Sequence, residues 1–265
     1  MANKDKQMTV RSVLAGRVST YQMLARMYVR EIDEEYLSEL RKMRCPINTG
    51  NADVDEGYRL FHSYLSHIWE RTIEDLERDF LTTFIGANTT GHSAAYPNES
   101  VHTSSERLIM QDSRDEVMAI YRAAGMVNSE SWRAGEDHIA VELEYMTVMA
   151  QRSLDASKEG KPKETSRLLL SQYHFLEDHL CAWVPLLAEE MLKFAKTDFY
   201  RALAYLTRGF VAEDKAFLAE VLAEELDEER GIEGKQAQES NEASAEAVDE
   251  ENEAGSKSEA ADEGE

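Results

Sequence analysis

Proline, glycine and cysteine are scarce in this chain: 4, 13 and 2 residues out of 265. So few backbone breakers, with the glycines scattered, argue against a strand-and-turn architecture and favour long helices. Cys45 and Cys181 stand far apart, with no metal-ligand spacing. They offer no disulfide framework and fit reduced thiols in a cytoplasmic setting. No run of about 18 apolar residues is present to span a membrane. The amino terminus, Met1-Ala-Asn-Lys-Asp-Lys, leads into a helical pattern rather than a signal peptide. A soluble, cytoplasmic protein without stable membrane insertion is expected.

Positive charge is also short. Lys and Arg number 29 against 52 Asp and Glu, a formal net charge of −23. From Asp227 to Glu265 there are 15 acidic residues against Arg230, Lys235 and Lys257, which is −12 of that total and leaves −11 on the body. Such a surface repels a phosphate backbone, so no nucleic-acid partner is expected. A basic peptide is the better electrostatic match. Phosphate-cradling and dinucleotide glycine loops are missing. No Ser-His-Asp or Cys-His arrangement can be read from spacing, so the chain does not read as an enzyme and implies no cofactor.

What is present is helical periodicity. Val13, Leu14, Val18, Tyr21, Leu24, Ala25 and Tyr28 recur at three- and four-residue steps. A short helix covers Glu34–Met43, and a long one carries Leu60, Phe61, Tyr64, Leu65, Ile68, Ile73, Leu76, Phe80, Leu81 and Phe84 to an end near Gly86. Residues 87–103 lose the pattern and read as a loop. Thr103-Ser-Ser-Glu106 has capping-box spacing, opening a helix through Leu108, Ile109, Val117, Ile120 and Tyr121. A helix over 137–154, a polar hinge at about 155–165, and helices over 166–196 and 198–226 complete the body, with Pro185 kinking the first of these near Cys181. The expected fold is all-α: a single bundle of about 8–10 helices over 8–226, followed by a disordered acidic tail over 227–265.

Two clusters carry candidate chemistry. Asp137 suits the first turn of a helix, and His138 beside it titrates near neutrality when unperturbed, which suits a reversible contact. Glu142 lies one turn on from His138. Glu99-Ser-Val-His102 is half the ligand set of a di-iron bundle, but its counterpart motif and two further glutamates are lacking, so no metal site is expected. Aromatic and Met side chains such as Tyr21, Met23, Tyr28, Phe80, Phe84, Met146 and Met149 are core formers, a subset of which can line an apolar peptide groove.

Four patterns in order carry a family resemblance. Tyr96-Pro-Asn-Glu-Ser-Val-His102 resembles a Pro-x-x-Ser-Val-aromatic loop, and Tyr121-Arg-Ala-Ala-Gly125 closes the next helix. Glu136-Asp-His-Ile139 with Glu142-Leu143 and Met146 resembles an Asp-His signature. Phe175, His179, Leu180 and Trp183 fit Phe-x-x-x-His-Leu-x-x-Trp, and Asp198-Phe-Tyr-Arg-Ala-Leu-Ala204 fits the closing helix. Together, over roughly 21–222, they resemble the TorD/DmsD chaperones of redox-enzyme maturation. Ala134-Gly135 stands where that family has Glu-Pro. The resemblance implies a chaperone that holds the twin-arginine signal peptide of a molybdoenzyme catalytic subunit and delays export until cofactor insertion and folding finish. It implies a binding site at Asp137, His138, Pro97, Asn98 and His102. Asp137→Ala is expected to weaken leader binding with little loss of fold. The alternatives are an adaptor gripping the folded client body and a helical metal- or nucleotide-dependent hydrolase. Either a monomer or a dimer swapped at the hinge is compatible with the sequence.

Overall fold

The computed structural model describes residues 2–86, 94–127, 129 and 132–224, with side chains from residue 10 onward. The acidic tail therefore lies outside the described residues. Helix α1 (Ala2–Val29) is longer than its apolar stripe. Its buried face is Leu14, Arg17, Tyr21, Leu24, Met27 and Tyr28, so an arginine takes a stripe position while Val13 stays exposed. Arg17 is accommodated because Asp214 meets its guanidinium in a bidentate pair, Gln172 Oε1 accepts a further bond at 2.8 Å, and Tyr21 Oη donates to the same Asp214 at 2.5 Å. A buried charge so paired and hydrogen-bonded is tolerated where a lone one is not.

The remaining helices are α2 (Glu34–Leu40), α3 (Ala52–Ser66), α4 (Thr72–Phe80), α5 (Glu99–Thr103), α6 (Asp112–Ala123), α7 (Ile139–Lys158), α8 (Pro162–Phe175), α9 (Cys181–Phe194) and α10 (198–224). The fold is all-α, and no strand occurs among the described residues. Trp183, Tyr21, Tyr200, Phe61, Phe84 and Phe199 are the largest side chains at its dry centre.

Several boundaries differ from the sequence expectation. The long helix ending at Gly86 is two helices, interrupted at 67–71, where the Trp69 N–H donates to Thr72 Oγ1 at 2.8 Å and the indole stays exposed. It then widens into a π-turn, Leu81–Ile85, which stops at Gly86 with φ +72°. Thr103 does not cap a helix. It ends α5, which lies inside the expected loop, and α6 starts only at Asp112 after a turn that exposes Leu108 and Ile109. Of the polar segment 155–165, only Glu159–Lys161 is non-helical, turning on Gly160 at φ +72°. A π-turn, Leu176–Leu180, joins α8 to α9 immediately before Cys181, whose carbonyl Pro185, lacking an N–H, cannot bond.

Two glycines let helices meet closely. A Cβ on Gly57 of α3 would sit 2.7 Å from Leu206 Cγ, and one on Gly209 of α10 would sit 2.8 Å from Val54 Cγ2.

Candidate functional site

The chain before α5 and the chain before α7 run antiparallel and are stitched by two backbone bonds. Glu99 N–H donates to Asp137 O at 2.9 Å, and Ile139 N–H donates to Pro97 O at 2.9 Å, bridging Asn98 to His138. The two segments named by the sequence patterns thus form one clasp from which both helices start.

Asp137 is completely buried. Its carboxylate accepts from the Ser100 N–H at 3.0 Å, from Ser100 Oγ, and from Asn98 Nδ2 at 3.2 Å. Asn98, at the N-cap position of α5, makes no capping bond of its own. Asp137 supplies the missing acceptor from across the clasp, satisfying an N–H that a short helix leaves open. Asn98 Nδ2 also donates to Ala134 O at 2.7 Å. Gly135 sits at φ +91°, where a Cβ would stand 2.9 Å from Asp137 Oδ1. Gly135 is therefore what leaves room for this carboxylate.

His138 is buried and caps α7, its Nδ1 accepting from the Ala140 N–H at 3.1 Å. The Trp132 indole meets the ring edge-on at 5.1 Å. Burial lowers its pKa to about 4, so His138 is neutral at physiological pH. The expectation that it titrates near neutrality is thereby corrected: desolvation of the imidazolium overrides its ordinary value.

Behind the clasp lies a second polar layer. His102 Nε2 lies 2.8 Å from Tyr96 O as its donor, and the imidazole stacks on Trp183 at 5.4 Å. Trp183 Nε1 donates to Glu142 Oε2 at 3.0 Å. Glu142 is fully buried, and burial, reinforced by the negative charges of Glu99 and Asp137, pushes its pKa well above the usual carboxylate range. Glu99 accepts from His179 Nδ1 at 3.0 Å. The Glu99-x-x-His102 pair therefore diverges, one residue to His179 and the other to a backbone carbonyl. Among the described residues, no group of three His, Cys, Asp or Glu side chains is placed to hold a metal.

Four of the five sequence-derived positions form this clasp, and the fifth, His102, stands in the layer behind it. Pro97, Asn98, Asp137 and His138 are buried, and His102 is half-buried. Ser100, Gly135, Glu99 and Trp132 belong to the same assembly; the sequence marks Glu99 only as half a metal motif and Gly135 only as a departure from the family pattern, and gives Ser100 and Trp132 no role of their own. Ser100 lay within the loop pattern, but its partnership with Asp137, 37 residues away, leaves no local signal.

The nitrate reductase delta subunit family model matches residues 49–189, just over half of the chain. The chain is 24% identical to the chaperone protein TorD of Vibrio cholerae serotype O1 (strain O395) over 214 residues, covering 78% of this chain and 94% of the relative. It is 24% identical to TorD of Vibrio parahaemolyticus over 76% of this chain and 94% of the relative. The perchlorate reductase assembly chaperone of Dechloromonas aromatica is 32% identical over 58% of this chain and 64% of its own length. With the family model lying across the clasp and the helices that carry it, and with these relatives beside it, the chain belongs to the nitrate reductase delta subunit family, the TorD-type redox-enzyme maturation chaperones, and is a chaperone rather than an enzyme.

Proposed function

We propose that this protein assists the maturation of a molybdenum-cofactor oxidoreductase in the cytoplasm, by holding the enzyme's twin-arginine leader at the Asn98–His138 clasp until folding and cofactor insertion finish. The observation that carries the proposal is the meeting of Asp137, His138, Pro97, Asn98 and His102 in one structural unit, with the carboxylates of Glu99 and Glu142 immediately behind it. No helix among the described residues is long and apolar enough to cross a membrane, which accords with work before export.

The burial of Asp137 dictates how a leader would engage. A leader arginine offers a planar fork of donors suited to a carboxylate. It reaches Asp137 only by displacing Asn98 Nδ2 and the Ser100 donors, so leader binding is coupled to opening of the clasp. Ser100 and Ile139 amides then lose hydrogen-exchange protection when a saturating twin-arginine peptide is added, while amides beyond the first turn of α7 keep theirs. A twin-lysine peptide binds more weakly, since lysine cannot bridge the carboxylate in two-point fashion. Tight peptide binding with unchanged exchange at Ser100 and Ile139 would exclude the clasp as the leader site.

A further inference from the structure

Helical periodicity assigns Leu108 and Ile109 to an apolar stripe. The structure instead presents Leu108, Ile109 and Met110 consecutively at 53%, 51% and 49% exposure, in the turn between α5 and α6. Three adjacent large apolar side chains held in water mark an interaction site more often than an accident of folding.

This turn is built. Arg107 and Met110, which flank the exposed pair, adopt φ of +55° and +61°, a left-handed conformation that side-chain-bearing residues avoid. The surrounding bonds hold them there. The Arg107 N–H donates to Ser104 O at 3.3 Å, its guanidinium pairs with Glu190 on α9, and the Gln111 N–H donates to Ser100 Oγ at 3.1 Å. Ser100 Oγ in turn donates to Asp137. The apolar tripeptide is thus tied to the clasp through the next residue, Gln111, which stands two hydrogen bonds away from the central carboxylate.

Shape and charge identify the partner. Three consecutive apolar side chains exposed on one turn are best desolvated together by a concave apolar receiver. Glu106, Asp112 and Glu116, which flank the tripeptide in sequence, are exposed. A receiver rimmed by lysine or arginine is complementary to them. We infer that Leu108-Ile109-Met110 is a docking knob for an apolar, basic-rimmed cleft on the body of the client oxidoreductase, separate from the leader. The inference rests on the client class proposed above, but not on where the leader binds.

The test uses the full chain against a twin-arginine molybdoenzyme catalytic subunit from the same genome, purified without its cofactor, with and without its leader, and against a synthetic peptide of that leader. In the Leu108→Ser/Ile109→Ser/Met110→Ser variant, affinity for the leaderless subunit falls by about tenfold or more, while affinity for the leader peptide is unchanged. The Glu106→Lys/Asp112→Lys variant, which leaves the apolar residues intact, weakens the same interaction at low salt. No binding of the leaderless subunit to the wild-type chain, unchanged binding in both variants, or an equal loss for the isolated peptide overturns the inference. So does a wild-type dimer that the serine variant abolishes, which makes the knob a self-association surface. If the peptide fails to bind while leaderless binding still depends on the knob, the leader-holding reading falls and the docking surface stands.

Discussion

A carboxylate taken out of water must find donors, and Asp137 finds three, all from α5 and the residue that precedes it. This reverses the expectation that Asp137→Ala spares the fold. Removing the carboxylate leaves the buried Ser100 N–H and hydroxyl proton without their acceptor, although Ser100 Oγ still accepts from the Gln111 N–H, at a cost of about 2–4 kcal/mol. The urea midpoint of Asp137→Ala drops accordingly, so leader affinities for this variant are meaningful only where the fold is independently shown to persist. His138 makes a prediction of the opposite chemical kind. Its folded pKa of about 4 lies below the ordinary 6.5. As pH falls below 6.5 the unfolded chain takes up a proton that the folded chain refuses, so stability present above that value is lost progressively toward pH 4. Between about pH 7.5 and about pH 5 the loss amounts to roughly 2 kcal/mol. His138→Asn keeps a capping acceptor but cannot titrate. Urea melts at the two pH values should show a smaller drop for the variant; parallel drops would assign the pH dependence to other groups.

Helix α10 shows why some elements were legible in the sequence and others were not. Its apolar spacing marks it as a helix, and Phe199, Tyr200, Ala202, Leu203 and Leu206 are buried as that spacing requires. Its cap is local, Thr197 Oγ1 accepting from the Tyr200 N–H at 3.5 Å, but what holds Thr197 in place is not. Asp79, at the end of α4, accepts from the backbone N–H groups of Lys196 and Thr197 at 2.9 and 2.7 Å and from Thr197 Oγ1 at 2.7 Å. Asp79→Ala removes this remote anchor at about 1–3 kcal/mol. Amide exchange should quicken over the first turn of α10 more than at its centre; a uniform change along the helix would show that Asp79 acts on global stability alone. The same distinction explains the sequence misreadings. The apolar period from Leu60 to Phe84 stays in phase across the 67–71 break, and no Gly or Pro announces it. Residues 99–103 lack a helical pattern because α5 is only five residues long and takes its capping acceptor from Asp137. Pro185, whose effect is local, gave the position of the α8–α9 irregularity correctly. The clasp was legible as motifs, since Pro97 and Asp137-His138 are contiguous patterns. Its burial was not, because burial depends on what packs over a segment.

At the scale of the whole molecule the dominant quantity is charge. The chain carries −23, of which the 39 residues from Asp227 onward supply −12. A twin-arginine leader is basic then apolar, so this charge acts first on encounter: a negative surface raises the local concentration of a cationic peptide and speeds association, whereas short-range contacts set dissociation. The body alone retains −11, enough to attract, and the tail roughly doubles it. Ending the chain at Leu226 should therefore slow leader association by several-fold at low salt and leave the dissociation rate nearly constant. At about 0.5 M salt the screening length falls to roughly 4 Å, and the two chains should then associate equally fast. Stopped-flow mixing with a labelled leader peptide separates the two rate constants. A truncated chain that associates faster at low salt would mean that the tail competes with the clasp for the peptide, and a changed dissociation rate would place the tail in the bound complex.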